Sequence, residues 1–338
     1  MTGELPNLAS VLEQHGLDGV AEEPLAHDGW SGARITRLTR GDGTRFVVKR
    51  DSLARDWIAR ATNDHPELRE ALLVRAAPAL PAPVRLPHLA VARDGDEIAL
   101  LMPDLTSTLL TWEAPVDEPT VDRVLAALAA LHREPWHAAL PSAFPWTDLE
   151  TRVLLLTRRS AARYEAAGLP VGERFRLGWE AFDRHAAVDA RSLIDRLTED
   201  PRPLFGALAR QPRVGLHGDL KLGNAGLAAD GSVWLIDWQM TLVAPAAVEL
   251  GWFLVCNVAG LPLDPDATLE RYRVAAGLPN DAQWAAERDL AIIVGLLLRG
   301  WRKGYDADAG LTLPSGWTAA EDLRWWGDAA VEAAARRL

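Results

Sequence analysis

Between Val214 and Trp238 the chain reads VGLHGDLKLGNAGLAADGSVWLIDW, and this run restricts the fold more than any other segment. Val214 to Leu216 is a short apolar approach that delivers His217-Gly218-Asp219 into a polar loop ending at Asn224. Ala225–Ala228 and Ser232–Ile236 read as two short strands around Ala229-Asp230-Gly231, a turn sequence of the kind that closes hairpins. Asn224 then stands just before the first strand and Asp237 just after the second. Pairing the strands brings the two side chains together at the open end of the hairpin.

That placement has chemical content. Facing residues on paired strands lie about 5 Å apart. A hard cation such as Mg²⁺, with oxygen ligands at about 2.0–2.1 Å, can be held between an amide oxygen and a carboxylate, with phosphate oxygens and water completing its shell. Asp219, five positions before Asn224, can accept the proton of a hydroxyl lined up with a terminal phosphate. Phosphoryl transfer asks mainly for such positioning and for charge neutralisation.

The rest of the chain supplies a setting. With 338 residues, 49% apolar and 25% charged, it is long enough for two domains or lobes and has the usage of an ordered globular protein. From about Gly29 to Leu105 the pattern is strand-rich with one helix. Thr44 to Arg50 follows Gly41-Asp42-Gly43 and reads as a strand. A helix is expected through Leu68, Glu70, Leu72 and Leu73, with Pro66 in its first turn and a stop near Pro78. Leu89–Arg93 and Glu97–Met102 flank Asp94-Gly95 as a hairpin. Pro103 cannot continue a central ladder, so Met102-Pro103-Asp104-Leu105 is the natural hinge. Beyond it Val121, Val124, Leu125, Leu128 and Leu131 follow helical spacing, and 148–167 and 289–302 look helical too. The expected division is a strand-rich lobe over 1–105 and a mainly helical lobe over 106–338.

Several classes are disfavoured. A formal charge of −11 argues against nucleic acid or an anionic membrane surface as partner. No apolar run reaches the length of a membrane-spanning helix, and the first residues lack the basic start and apolar core of a signal peptide, so a cytoplasmic protein is expected. Cys256 is the single cysteine, which excludes an internal disulfide and suits buried packing. Of the 36 basic residues only three are lysines, Lys49, Lys221 and Lys303. Where lysine survives in an arginine-dominated chain, it is a candidate for a place that a compact ammonium fits and a planar guanidinium does not.

The run H-G-D-L-K-L-G-N followed by L-I-D-W resembles the motif of aminoglycoside phosphotransferases, choline kinases and their relatives. The protein-kinase pattern H-R-D-L-x-x-x-N then D-F-G differs by Gly218 for arginine and Trp238-Gln239 for Phe-Gly. The resemblance implies an α+β, protein-kinase-like bilobal fold and an ATP- and Mg²⁺-dependent kinase whose partner is a small-molecule hydroxyl acceptor. It implies Asp219 as catalytic base, Asn224 and Asp237 as Mg²⁺ ligands, and His217 as a loop-structuring residue. Lys49 becomes the strand lysine on the α- and β-phosphates, with Glu70 as its ion-pair partner and Glu67 as the fallback. Lys221 falls where several kinases set a lysine against the γ-phosphate. Two of three lysines thus land on positions chosen by the motif rather than by lysine content. Ser31 and Gly32, in Gly29-Trp30-Ser31-Gly32-Ala33-Arg34, are candidates for covering the nucleotide, and Met102, Asp104 and Leu105 for meeting its adenine.

Two other function classes stay open on the residues: a nucleotide-binding pseudokinase acting as an interaction module, and a hydrolase using His217-x-Asp219 as a metal pair. Gly29-Trp30-Ser31-Gly32-Ala33 is nearly a nucleophile elbow, but its flanks read as turn and strand. His132 and His137 read as packing or capping residues. Glu249 stands where relatives usually carry aspartate, which leaves its role undefined. Trp301, Trp317, Trp325 and Trp326 are candidate linings of an acceptor pocket, with amphipathic helix packing as their plainer role. The acceptor is an aminoglycoside or other antibiotic, an amino sugar or a related alcohol; the motif does not choose among them.

Overall fold

The computed structural model describes residues 4–26, 29, 31–111, 115–257 and 260–338. The first part of the chain forms α1 (Leu8–Gln14), β1 (Glu22–Pro24), β2 (Arg34–Thr39), β3 (Arg45–Asp51), α2 (Trp57–Ala61), α3 (Arg69–Ala76), β4 (Val84–Arg85), β5 (Ala90–Asp94) and β6 (Glu97–Pro103). Five of the strands make one antiparallel sheet in the order β1-β2-β3-β6-β5.

Alternation along the two central strands sorts their side chains to opposite faces. Phe46 and Val48 of β3, with Ala99 and Leu101 of β6, pack beneath Leu8 and Val11 of α1. Val47, with Ile98, Leu100 and Met102, packs on the other face against Leu68 and Ala71 at α3. Lys49 shares the parity of Val47, so the pleat carries its side chain to the α3 face. That parity is what lets it meet Glu70.

Two helices, not one, follow β3. Asp56 caps α2 by accepting from Ile58 N and Ala59 N. The expected helix begins later than its proline suggests: Pro66 lies in the preceding turn, and α3 starts at Arg69 after Leu68, whose φ is +56°. Asp64 Oδ1 accepts from Arg69 N at 2.8 Å and supplies the partner that a helical first turn would otherwise need.

The remaining helices are α4 (Glu118–Arg133), α5 (Leu149–Leu154), α6 (Arg158–Ala166), α7 (Pro170–His185), α8 (Val188–Glu199) and α9 (Arg202–Leu208). The expected helix over 148–167 is therefore two, parted at Leu155 to Thr157. After β7 (Val214–Leu216), β8 (Ala225–Leu227), β9 (Val233–Leu235) and β10 (Leu242–Ala244) come α10 (Ala246–Asn257), α11 (Pro265–Ala276), α12 (Ala282–Asp308) and α13 (Ala319–Arg337). No helix among the described residues is long and apolar enough to cross a membrane.

Helix α10 reads AAVELGWFLVCN and is buried on nearly every side, so it has no polar face to give to water. It packs on α12, which α7 and α13 flank. The contact is close because Gly251 faces α12: a Cβ there would lie 2.3 Å from Ala291 O. Trp301 and Trp326 are fully buried in this region, whereas Trp317 is exposed, so packing accounts for the first two. The two parts of the chain also interlock. Strand β4 pairs in parallel with β9 to make a three-stranded sheet β4-β9-β8, and Trp57, Ile58, Leu73 and Val84 join the large helical core.

Candidate active site

Lys49 sits mid-strand, opposite Ile35 on one neighbour and Leu100 on the other. Its Nζ lies 2.7 Å from Glu70 Oε2 and 2.8 Å from Asp237 Oδ1. Burial opposes the charge on Lys49, but Asp237 and Glu70 outweigh it and hold the ammonium well above the usual lysine range. Burial likewise opposes the Glu70 carboxylate, and Lys49 with His88 overcomes it, leaving that carboxyl well below its ordinary value. Glu70 does more than pair with Lys49. Its Oε1 accepts from Asp237 N at 2.9 Å and Trp238 N at 3.2 Å, so one carboxylate ties β3, α3 and the Asp237 turn together. The fallback Glu67 is engaged elsewhere, with Arg75 at 2.7 Å.

Next to Glu70, Arg69 has no exposed surface and donates to the carbonyls of Pro145 and Gln239. Sequence reading missed it. Arginine on an otherwise apolar helical segment is ordinary surface usage, and only the tertiary contact reveals a buried strut.

Strand β7 ends at Leu216 and leads into the loop. His217 is fully buried; its Nε2 hydrogen bonds Ile236 O at 2.9 Å while Nδ1 faces Asp219 N at 3.2 Å. Both ring nitrogens are taken, which fixes the tautomer with hydrogen on Nε2 and removes His217 as a metal ligand. The reading of His217-x-Asp219 as a metal pair fails on that geometry. Gly218 adopts φ +86°, and a Cβ there would stand 1.9 Å from Met240 O, so both conformation and space require glycine. This is why arginine is absent at that position.

The loop is held from below. Glu249 accepts from His217 N at 3.1 Å, Gly218 N at 2.6 Å and His132 Nε2 at 2.9 Å. His132 Nδ1 in turn meets Tyr272 Oη at 2.8 Å. Burial works against the Glu249 charge, but the hydrogen bond from His132, with that from Gly218 N, lowers its carboxyl below the ordinary range. Glu249 is thus the clamp of the loop. A single acid inside an apolar helix was the sequence signal. Arg152 Nε donates to Gly218 O at 2.8 Å, and Asn257 Oδ1 accepts from Leu222 N at 2.9 Å; neither was foreseen.

Asn224 Nδ2 donates to Asp219 O at 2.8 Å and to Asp219 Oδ2 at 3.1 Å. Lys221 Nζ lies 3.6 Å from the same Oδ2. Asp219 Oδ1 is buried without a hydrogen-bond partner among the described residues. The hairpin forms as its sequence requires, with Ala225 opposite Leu235 and Leu227 opposite Val233, and Ile236 N donating to Asn224 O at 3.1 Å. Asp237 follows with φ +68°, a left-handed conformation that aspartate tolerates better than most residues with a side chain.

The donor set suits a hard cation bound together with phosphate. Asn224 spends its amide nitrogen on Asp219, which leaves the amide oxygen, and Asp237 supplies a carboxylate from the adjoining turn. No group of three or more His, Cys, Asp or Glu side chains among the described residues is arranged to hold a metal by itself. A cation here would need oxygens from its ligand, as Mg²⁺ commonly takes.

The other sequence candidates lie on the sheet side. Ser31 is buried, and Gly32 has φ +102° and packs where a Cβ would meet Arg55 at 3.1 Å; Trp30 between Gly29 and Ser31 lies outside the described residues. Met102 belongs to β6, paired with Val47. The Asp104 carboxylate is taken up by Arg37 at 2.7 Å and by Thr106, and its N–H donates to Arg45 O at 3.0 Å. The Leu105 carbonyl accepts from Thr108 N and Leu109 N. Asp104 therefore straps the connection between the two parts of the chain.

The family model described as the phosphotransferase enzyme family matches residues 23–290. Among solved structures, a putative aminoglycoside phosphotransferase from Ralstonia eutropha is 15% identical, with 98% of each chain covered and a TM-score of 0.52. A choline/ethanolamine kinase family protein from Mesorhizobium loti is 16% identical, covering 97% of this chain and 91% of its own, with a TM-score of 0.51. A spectinomycin phosphotransferase in complex with ADP and spectinomycin is 14% identical over 100% of both chains, with a TM-score of 0.50. At these identities the likeness is one of fold. No curated protein sequence matches.

Proposed function

Because this chain belongs to the phosphotransferase enzyme family, we propose that it moves the γ-phosphate of ATP to a hydroxyl group of a small molecule. One observation carries the proposal: Lys49, Glu70 and Asp237 form one set of short polar contacts and Asp219 with Asn224 another, and the hairpin between Asn224 and Asp237 sets the two side by side, Ile236 N donating to Asn224 O.

In this reading the nucleotide lies between the sheet and the helical part, its adenine near Met102 to Leu105 and its phosphates under Ser31 and Gly32. The boundary between lobes falls at the Leu105 hinge. Lys49 holds the α- and β-phosphates, and Glu70 keeps its ammonium aimed. Asn224 and Asp237 would hold Mg²⁺, which supplies neutralisation of phosphate charge. Asp219 orients the acceptor hydroxyl and takes its proton as the oxygen bonds to the γ-phosphorus. The bond from that phosphorus to the β,γ-bridging oxygen breaks, and ADP leaves. Lys221, already beside Asp219, faces the transferred group. Acceptors of the kinds named for similar folds, antibiotics and amino alcohols, are the first to try.

The test is ADP release measured with Mg-ATP and a panel of hydroxyl acceptors. Asp219→Asn should lower turnover by about 10²- to 10⁴-fold, the range of a lost general base, while ATP binding stays within a few-fold. Normal turnover in that variant would remove Asp219 from the chemistry. ATP binding with no stimulation by any acceptor would instead favour the pseudokinase reading.

A further inference from the structure

Three basic side chains gather on one side of Asp219: Arg152, Arg299 and, from its own loop, Lys221. Arg152 of α5 is fully buried, and both of its Nη atoms lack a hydrogen-bond partner among the described residues. Its guanidinium carbon lies 4.6 Å from the centre of the Trp252 ring. Arg299 of α12 lies 5.6 Å from the same ring, is half-buried, and has no carboxylate within ion-pair distance among the described residues. Lys221 completes the group, with its side chain 40% exposed and so open to a ligand. Burial pushes up the thiol of Cys256, one turn beyond Trp252 on α10, while Arg299, Lys221 and Arg152 act against that rise and Asp219 adds to it. Farther along the same side, Arg302 pairs with Asp306 at 2.8 Å, and Arg174 of α7 is held below its ordinary basicity first by burial and then by Arg302 and Arg299.

This arrangement runs against the rest of the molecule, whose formal charge is −11. Asp219 offsets part of this charge, chiefly at Lys221, but like charges gathered in one place repel and buried donors without acceptors cost free energy, so a further negative group here would be stabilising. Glu249 does not serve, since its oxygens are spent on the loop N–H groups and His132. Guanidinium groups are planar forks matched to carboxylate and phosphate. A polycationic acceptor would meet repulsion from Arg299 and Lys221 as it approached Asp219.

We propose that the acceptor is an alcohol that itself carries a carboxylate or phosphate group, received by Arg299, with Arg152 and Trp252 behind it as positioning residues and Lys221 at the mouth. The proposal names the substrate class for the phosphotransfer proposed above and rests on it. The transfer is unchanged: the acceptor oxygen bonds to the γ-phosphorus, its proton goes to Asp219, and ADP is released.

Cys256 is the chain's single thiol and lies beside these cations, so it reports their field without any turnover. Its modification should be timed with an anionic reagent, sulfonatoethyl methanethiosulfonate, and a cationic one, trimethylammonioethyl methanethiosulfonate, each normalised to its rate with free cysteine. The anionic reagent should be favoured about tenfold or more, and Arg299→Ala should cut that preference at least about threefold. A preference for the cationic reagent, or one that Arg299→Ala leaves unchanged, overturns the proposal. In parallel, ADP release is measured with gluconate, glucose 6-phosphate, glucose and kanamycin. One of the two anions should stimulate most, the choice between them separating carboxylate from phosphate. Arg299→Ala should raise the KM of that acceptor about tenfold and leave the KM for ATP within about twofold. Kanamycin as the best acceptor, or a rise in the KM for ATP in place of the acceptor's, overturns it. Silence of all four acceptors counts against the phosphotransfer reading, while the thiol preference still decides the anionic site.

Discussion

Lysine usage is the clearest case of a single residue type carrying information. Each of the three lysines makes a specific ion pair: Lys49 with Glu70 and Asp237, Lys221 facing Asp219, and Lys303 with Asp322 at 2.6 Å over the Trp326 ring. Lys303 shows that scarcity alone does not identify a functional position, since its pair is buried among α12, α13 and their tryptophans. The motif, not the count, is what sets Lys49 and Lys221 apart in the function proposed above. At Lys49 a point charge fits between two carboxylates at 2.7 and 2.8 Å, a space that a planar fork fills differently. Lys49→Arg is therefore expected to raise the KM for ATP about tenfold, equal to about 1.4 kcal/mol, with little change in thermal stability. Nucleotide titration of the variant checks this, and an unchanged KM would detach Lys49 from the phosphates.

At the level of elements, the approach of α10 to α12 sets where the loop clamp stands. Glu249 and Asn257 both lie on α10 and hold opposite ends of the Asp219 loop, so the depth of that helix positions the loop backbone. Gly251→Ala would put a methyl 2.3 Å from Ala291 O and 2.9 Å from Gly295 N. The helices must part, at a cost of about 1–3 kcal/mol by the measure of overpacked cores, and the clamp should shift with them. Both the Tm and turnover are expected to fall. Gly206→Ala, in α9 with nothing within 4 Å of the added methyl, is the control and should be neutral or slightly stabilising. Equal behaviour of the two variants in thermal unfolding would mean that the helix contact can relax freely.

Across the whole molecule, buried acids shape the response to pH. Asp56 is pushed up to about 8, chiefly by burial and then by Asp51 beside it, and burial lifts Glu287 to about 7. Such a group keeps its proton in the folded state after the unfolded chain has lost it. Its contribution is complete below the unfolded value near pH 4 and is lost as pH rises through the folded value. Glu70 and Glu249 act in the opposite sense, since their carboxyls are lowered: their contribution is present above about pH 4.5 and is lost on acidification. Stability should therefore peak near pH 5 and decline toward pH 8. Asp56→Asn retains a capping side chain for α2 and should flatten part of the decline, leaving the Glu287 share. Urea unfolding at pH 5, 7 and 9 measures both, and a wild-type stability that rises from pH 5 to 8 would contradict it.

The sequence by itself determined the local geometry of the Asp219 loop and its hairpin, because turn chemistry and strand alternation act over a few residues. Gly231 at φ +90°, Asp230 accepting from Ser232 N at 2.9 Å, and the parity that turns Lys49 toward α3 were all legible in the chain. The α3 start and the break between α5 and α6 were not, since Asp64 and tertiary packing set those ends against what the proline and the apolar spacing suggested. Tertiary structure alone decided which distant groups hold the loop. Arg69, Arg152, Glu249 and Asn257 act through buried contacts across 31 or more positions for the loop and 170 for the strut, and apart from the lone acid of an apolar helix at Glu249 nothing in their neighbours along the chain marks them. Only tertiary structure, too, gathers Arg152, Lys221 and Arg299 around one aspartate, because charge concentration depends on which faces of α5, α10 and α12 meet. A net charge of −11 conceals a basic patch until the chain is folded.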